Sequence, residues 1–211
     1  MSEKPILFNT DMVKAILDGR KMQTRRVIHP HLKKDEAGWM VCLTSDRKPY
    51  AIETHDDDGR SMRGIPAPYQ PGDVLWVREA YVKDVGRYMY RANYSYTEKF
   101  YMNGQEIKMV WRPSIHMPRE AARLFLLVKK VRIEKLQDIS PMDVRAEGIR
   151  NGERDEYDVE MSDAVMERFM FEELWDSTIN PADLSTHGWD ANPWVWVIEF
   201  ERCEKPKEWS T

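Results

Sequence analysis

The chain has 211 residues, long for one small β-barrel and short for two full domains, so its length fits one domain carrying insertions. Hydrophobic residues make up 42% and charged residues 32%, a globular balance that argues against disorder, and the 8 Trp point to an aromatic core. The net charge of -4 excludes the global basic field of a nucleic-acid coat and confines any such contact to a local patch.

The sequence MSEKPILFNT lacks a signal peptide's apolar run, and Pro5 to Phe8 reads as a short strand. Asn9 and Thr10 offer capping oxygens to a helix reaching about Asp18. Met12, Val13, Ile16 and Leu17 recur there at helical spacing, and Gly19 suits the left-handed position past its end. The run GRKMQTRR then starts in a turn or at the beginning of a strand. Residues 29–70, with four prolines and the acidic cluster HDDDG, read as an insertion or long loop holding one hairpin. PGD at 71–73 turns the chain into DVLWVREAY, a strand buried on both faces. Residues 84–110 read as a second insertion, a β-ribbon turning at Asn103-Gly104.

RLFLLVKKVRIEKL is one long strand over 123–136. Ser140 caps the next helix, with Pro141 at its first position, and Gly148 stops it near Glu147. Ser162 is expected to cap an amphipathic helix carrying Val165, Met166, Phe169, Met170, Leu174 and Trp175. The closing strand WVWVIEFE alternates, with Trp194, Trp196, Ile198 and Phe200 on one face. Strands with few helices and no βαβ repeat give an α+β class, a barrel or curved sheet with flanking helices, over one domain spanning 1–211.

No Gly-rich phosphate loop, nucleophile elbow or HExxH motif occurs, and no cofactor is expected. With Cys42 and Cys203 as the 2 cysteines and no CxxC pair, neither a disulfide framework nor a thiolate zinc site is expected. His29 with His31, and Asp56 to Asp58, are weak metal candidates against a solvated-loop reading. No stretch reads as a membrane span, so a cytoplasmic protein without a membrane partner is expected.

Three segments together resemble the ASCH family of PUA-like small β-barrels: the helix followed by Gly19-Arg20-Lys21 with Thr24 and Arg26, the PGDVLWV turn and strand, and the strand–helix unit ending at Glu147 with the closing WVIEF. The similarity spans about residues 5 to 202, and its most specific element is the GRKxxTxR spacing. Longer relatives of this kind occur among bacterial and prophage proteins. Within the family, the small bacterial N(4)-acetylcytidine amidohydrolases carry a catalytic Lys, Thr and Glu. The resemblance places these at Lys21, Thr24 and Glu147, the last by its spacing from the strand and the helix start. The chain is about twice as long as those enzymes and has Met22-Gln23 inside the motif.

The chemistry is consistent with those residue types. A threonine hydroxyl attacks an amide only when a base takes its proton. Crowding by Arg20, Arg25 and Arg26 favours a neutral Lys21, as burial would. An ideal strand would put Lys21 and Thr24 on opposite faces, so the scheme requires a turn or bulge between them. Glu147, in a helix's last turn, faces the negative end of the macrodipole, which favours a protonated acid.

The leading expectation is an amidohydrolase acting on an acylated nucleoside, with Arg20, Arg25 and Arg26 as substrate-binding candidates. The alternative is a non-catalytic module binding single-stranded RNA or another nucleic acid, and the third is a ribonuclease. Tyr88, Tyr90, Tyr94, Tyr96 and Tyr101, with Arg87 and Arg91, could stack bases or simply pack the ribbon.

Overall fold

The computed structural model describes residues 2–28, 38–43, 49–54, 63–149 and 163–207. In chain order the elements are β1 (Glu3–Leu7), α1 (Thr10–Leu17), β2 (Gln23–Val27), β3 (Gly38–Leu43), β4 (Pro49–Thr54), β5 (Arg63–Pro66), β6 (Val74–Arg78), β7 (Tyr81–Asp84), β8 (Arg87–Tyr90), β9 (Phe100–Met102), β10 (Gln105–Ile107), β11 (Phe125–Lys135), α2 (Pro141–Ala146), α3 (Asp163–Ser177), α4 (Leu184–His187) and β12 (Trp194–Cys203). Helices and mixed sheets make this an α+β protein. Among the described residues no helix is long and apolar enough to cross a membrane. His29, His31 and Asp56 to Asp58 lie outside the described residues, as does the expected cap Ser162.

Two compact units are formed: residues 1–19, 73–127 and 201–211 make the first, and 20–72 with 128–200 the second. In the first, β1 runs parallel to β6, from Glu3 opposite Val74 to Leu7 opposite Arg78. The start of β11 pairs antiparallel with β6, Phe125 opposite Trp76. Asn9 caps α1 by accepting from the Met12 amide at 2.8 Å, and Val13, Ala15 and Ile16 are its buried residues. The chain leaves that helix through Gly19 at φ 74, a value that glycine adopts without steric cost. Val74, Tyr81, Met117, Ala121, Ala122 and Phe125 form one cluster of its core.

The segment 84–110 contains two hairpin turns where one ribbon was expected. Asn103-Gly104 joins β9 to β10 with both residues at positive φ, as a two-residue turn requires. Val85-Gly86 joins β7 to β8 in the same way, with Val85 at φ 40. A β-branched residue breaks the usual rule there, which is why the sequence did not announce this turn.

In the second unit, β12 pairs antiparallel with β2, from Val195 opposite Val27 to Glu199 opposite Gln23. The later part of β11 flanks β12 on its other side. The described parts of 29–70 form the antiparallel sheet β3–β4–β5, where a loop with one hairpin was expected. Leu136, Ile139, Val144, Phe171, Trp175, Trp189, Val195 and Val197 form the core against the helices. Strand β12 is therefore buried on both faces, since Trp196 and Ile198 on the opposite side are also covered.

Helix α3 differs from the sequence reading. Its buried stripe is Glu167, Phe171 and Trp175, spaced by four, while Val165 and Phe169 are about half exposed. Glu167 can lie inside because Arg145 Nε donates to both of its oxygens, at 2.8 and 3.0 Å.

Candidate functional site

The site lies in the second unit, where the chain approaches β2. Lys21 forms a backbone bridge with Glu147. The Met22 amide donates to the Ala146 carbonyl at 2.8 Å, and the Phe200 amide donates to the Met22 carbonyl at 2.8 Å. The segment before β2 is thus held from two sides, and regular alternation starts at Gln23. Glu147 is the C-cap of α2, a position fixed by local rules. Ser140 Oγ accepts from the Asp143 amide at 3.1 Å, Pro141 opens the helix, and Gly148 leaves it at φ 96.

These two backbone positions bring opposite charges together in the interior. Lys21 Nζ donates to Glu147 Oε2 at 2.6 Å and to the Glu147 carbonyl at 2.9 Å, with the lysine side chain 0% exposed. Arg25 Nη1 donates to the other carboxylate oxygen at 2.8 Å. The carboxylate at the negative end of α2 is therefore held between two cations, which offset the unfavourable helix field. Arg25 Nε also donates to Glu134 Oε1 at 3.0 Å, and its guanidinium lies 5.8 Å from the Phe171 ring centroid. Beyond it, Arg132 joins Glu134 at 3.1 Å and Asp143 at 3.1 Å, and also pairs with Glu199.

Burial is the largest influence on Lys21 and pushes its pKa below the ordinary lysine value. The charge and hydrogen bond of Glu147 resist that shift, while Arg26 and Arg25 add to it. Burial alone would raise the Asp143 pKa, yet hydrogen bonds from Ser140 and Gln23 and the charges of Arg132 and Arg25 hold it below its ordinary value. Lys21 is thus the cation of this cluster drawn toward the neutral form that a general base needs.

The residues of β2 divide between its two faces. Gln23 and Arg25 point toward the carboxylates: Gln23 Nε2 donates to the Asp143 carbonyl at 2.8 Å. Thr24 and Arg26 alternate with them and belong to the opposite face of β2. Arg26 lines a pocket of about 400 Å³ with Tyr69, Trp196, Ile65, Pro66 and Pro68. Burial works against the charge on Arg26, while Tyr69 and Glu147 favour it. Burial raises the Tyr69 phenol, and Arg26 partly opposes this. Arg20 Nη1 donates to the Gly148 carbonyl, which ties it to the end of α2.

Thr24 is 2% exposed, opposite Ile198 in the sheet. Among the described residues, no hydrogen bond joins its hydroxyl to Lys21 or Glu147. The structure thus brings Lys21, Glu147 and Arg25 into one buried cluster and leaves Thr24 on the opposite face of β2.

Gln23, Arg132, Glu134, Asp143 and Glu199 were not singled out by the sequence. The available signal was alternation: Arg132 and Glu134 share a face of β11, as Gln23 and Arg25 share a face of β2. Tyr69 and Trp196 were missed as pocket residues because only the fold brings them to Arg26. The chain matches no family model, no curated protein and no solved structure.

Proposed function

We propose that this protein is an ASCH-type, PUA-like amidohydrolase acting on an acylated nucleoside or nucleobase amide, with Lys21, Thr24 and Glu147 as its working residues. The observation that carries the reading is the fully buried Lys21–Glu147 pair, 2.6 Å apart, whose lysine pKa burial lowers. A neutral amine in that position is a competent proton acceptor.

In the proposed reaction the Thr24 oxygen attacks the acyl carbon and its proton passes to Lys21 Nζ. Because no direct hydrogen bond links the two, one bridging water carries that proton. The oxyanion of the tetrahedral intermediate is held by Arg26 from the pocket side. Collapse breaks the C–N bond, and the leaving amine takes a proton from the Lys21 ammonium. Water then attacks the acyl–Thr24 ester, its proton passing to Lys21 beside Glu147 and on to the departing Thr24 oxygen, which restores the hydroxyl and releases the carboxylic acid. The nucleobase would occupy the pocket lined by Tyr69 and Trp196.

The test is incubation with N(4)-acetylcytidine and a panel of N-acylated nucleosides, with products followed by chromatography. Turnover lost in both Thr24→Ala and Lys21→Ala, with folding retained, supports the reading; absence of turnover across the panel rejects it.

One observation favours a second reading, a non-catalytic module that binds RNA or another nucleic acid at the same face. The Lys21 ammonium is satisfied by two oxygens of Glu147 while the Thr24 hydroxyl stands apart. An arrangement of this kind can serve as a structural lock beneath a binding surface formed by Arg26 and Tyr69. Salt-dependent binding of single-stranded RNA without turnover would select it.

A further inference from the structure

A second pocket, of about 570 Å³, lies in the first unit and is lined by Arg91, Tyr96, Lys99, Phe100, Lys108 and Trp111, among others. One wall is aromatic and internally braced. Trp111 lies 5.6 Å from Tyr94 and 6.0 Å from Phe100 between ring centroids, and Tyr94 meets Phe100 edge-on at 5.2 Å.

Arg91 is fixed against this wall. Its Nη1 donates to the carbonyls of Tyr94 and Ser95, both at 3.0 Å. The guanidinium lies 4.7 Å from the Tyr96 ring centroid and 5.7 Å from that of Trp111. Lys14 stands 4.6 Å from the same Tyr96 ring, whose hydroxyl donates to Asp11 at 2.7 Å.

The acidic lining residues are already engaged. Glu98 accepts from the Ser95 amide at 3.1 Å, and Glu106 pairs with Lys99 at 2.9 Å. Among the described residues, Nε and Nη2 of Arg91 make no hydrogen bond, and exposed Lys108 makes none. What remains available is one π-face wall, a positioned guanidinium with open donors and an exposed ammonium. Base stacking needs the first, and a phosphate suits the other two.

We infer that this pocket binds a nucleobase together with its phosphate, the base stacked on Trp111 with Phe100 against its edge, and the phosphate held by Arg91 and Lys108. The same chemistry is offered by a free nucleotide and by a segment of single strand. The site is separate from Lys21 and Glu147 and stands whether or not the hydrolase reading does.

The experiment is equilibrium binding of cytidine and adenosine monophosphates by calorimetry, and of a fluorescent oligouridylate by anisotropy, to the full chain. Trp111→Leu, Arg91→Lys and Lys108→Glu are each expected to weaken binding by about tenfold. Lys108→Glu removes no hydrogen bond or ion pair among the described residues, so it reports on the pocket even if the other variants misfold. Mononucleotide binding identifies the free ligand as sufficient. Binding of the oligouridylate alone, falling with salt, identifies a strand; either result upholds the inference. Absence of saturable binding of both probes, or unchanged affinity in Lys108→Glu and the folded members of the other two, overturns it.

Discussion

The two units house their cations in different ways. In the second, Lys21 and Arg25 are buried and held by carboxylates, Glu147 between them and Glu134 beyond. In the first, Arg91 and Lys14 lie over the ring of exposed Tyr96. A cation fully withdrawn from water needs a counter-charge, whereas one at the surface can rest on a π-face and keep donors open. The first arrangement tunes protonation inside the protein. The second leaves groups available to a ligand.

The largest expected effect comes from breaking the buried arrangement. Glu147→Ala leaves Lys21 and Arg25 without their shared partner and is expected to lower stability by about 3–5 kcal/mol, read from urea denaturation. A loss below about 1 kcal/mol would mean that the two cations find water or other acceptors, and the contrast between the units would collapse.

The corresponding carboxylate in the first unit is Glu79, 1% exposed, which accepts from Arg123 Nε at 2.8 Å and Nη2 at 2.9 Å. Arg123 is 25% exposed and can turn toward solvent. Glu79→Ala is therefore expected to cost about 2 kcal/mol, less than Glu147→Ala, in the same denaturation series. Equal losses would show that partner exposure does not set the difference.

How much of this was legible depends on the range of the interaction. The caps of α1 and α2 could be read because Asn9 and Ser140 act three residues along the chain. The same locality located Glu147 at a helix end. The partners of Arg25 could not be read, because Glu134 and Glu147 lie more than a hundred residues away and only the meeting of β2, β11 and α2 selects them. The α3 face was misjudged because apolar residues outnumber its real stripe, which includes a paired glutamate. Trp194 and Trp196 read alike in sequence, yet Trp196 is buried and Trp194 is half-buried near Lys135.

The lowered Lys21 pKa gives a pH test with a definite sign. The unfolded chain binds more protons than the folded one between the folded value and the ordinary 10.5, so stability from this group rises with pH across that window. Subtracting the Lys21→Met profile from that of wild type should isolate this rise. For catalysis the neutral amine is the active form, so the ascending limb of kcat/KM should have its midpoint below 10.5. A limb at or above that value would remove Lys21 as the base.

The smallest effect concerns the β7–β8 turn. Val85 is 95% exposed at φ 40, a conformation that asparagine tolerates better. Val85→Asn should raise stability by about 0.5–1 kcal/mol, seen as a higher Tm, without altering turnover of an acylated nucleoside.

The most direct test of the central proposal is to compare Thr24→Ser with Thr24→Ala on N(4)-acetylcytidine, with folding of both checked by circular dichroism. The account predicts measurable hydrolysis in Thr24→Ser and a fall in kcat of about 10³-fold in Thr24→Ala. Equal rates in the two folded variants, or turnover in neither variant nor the wild type, would contradict it.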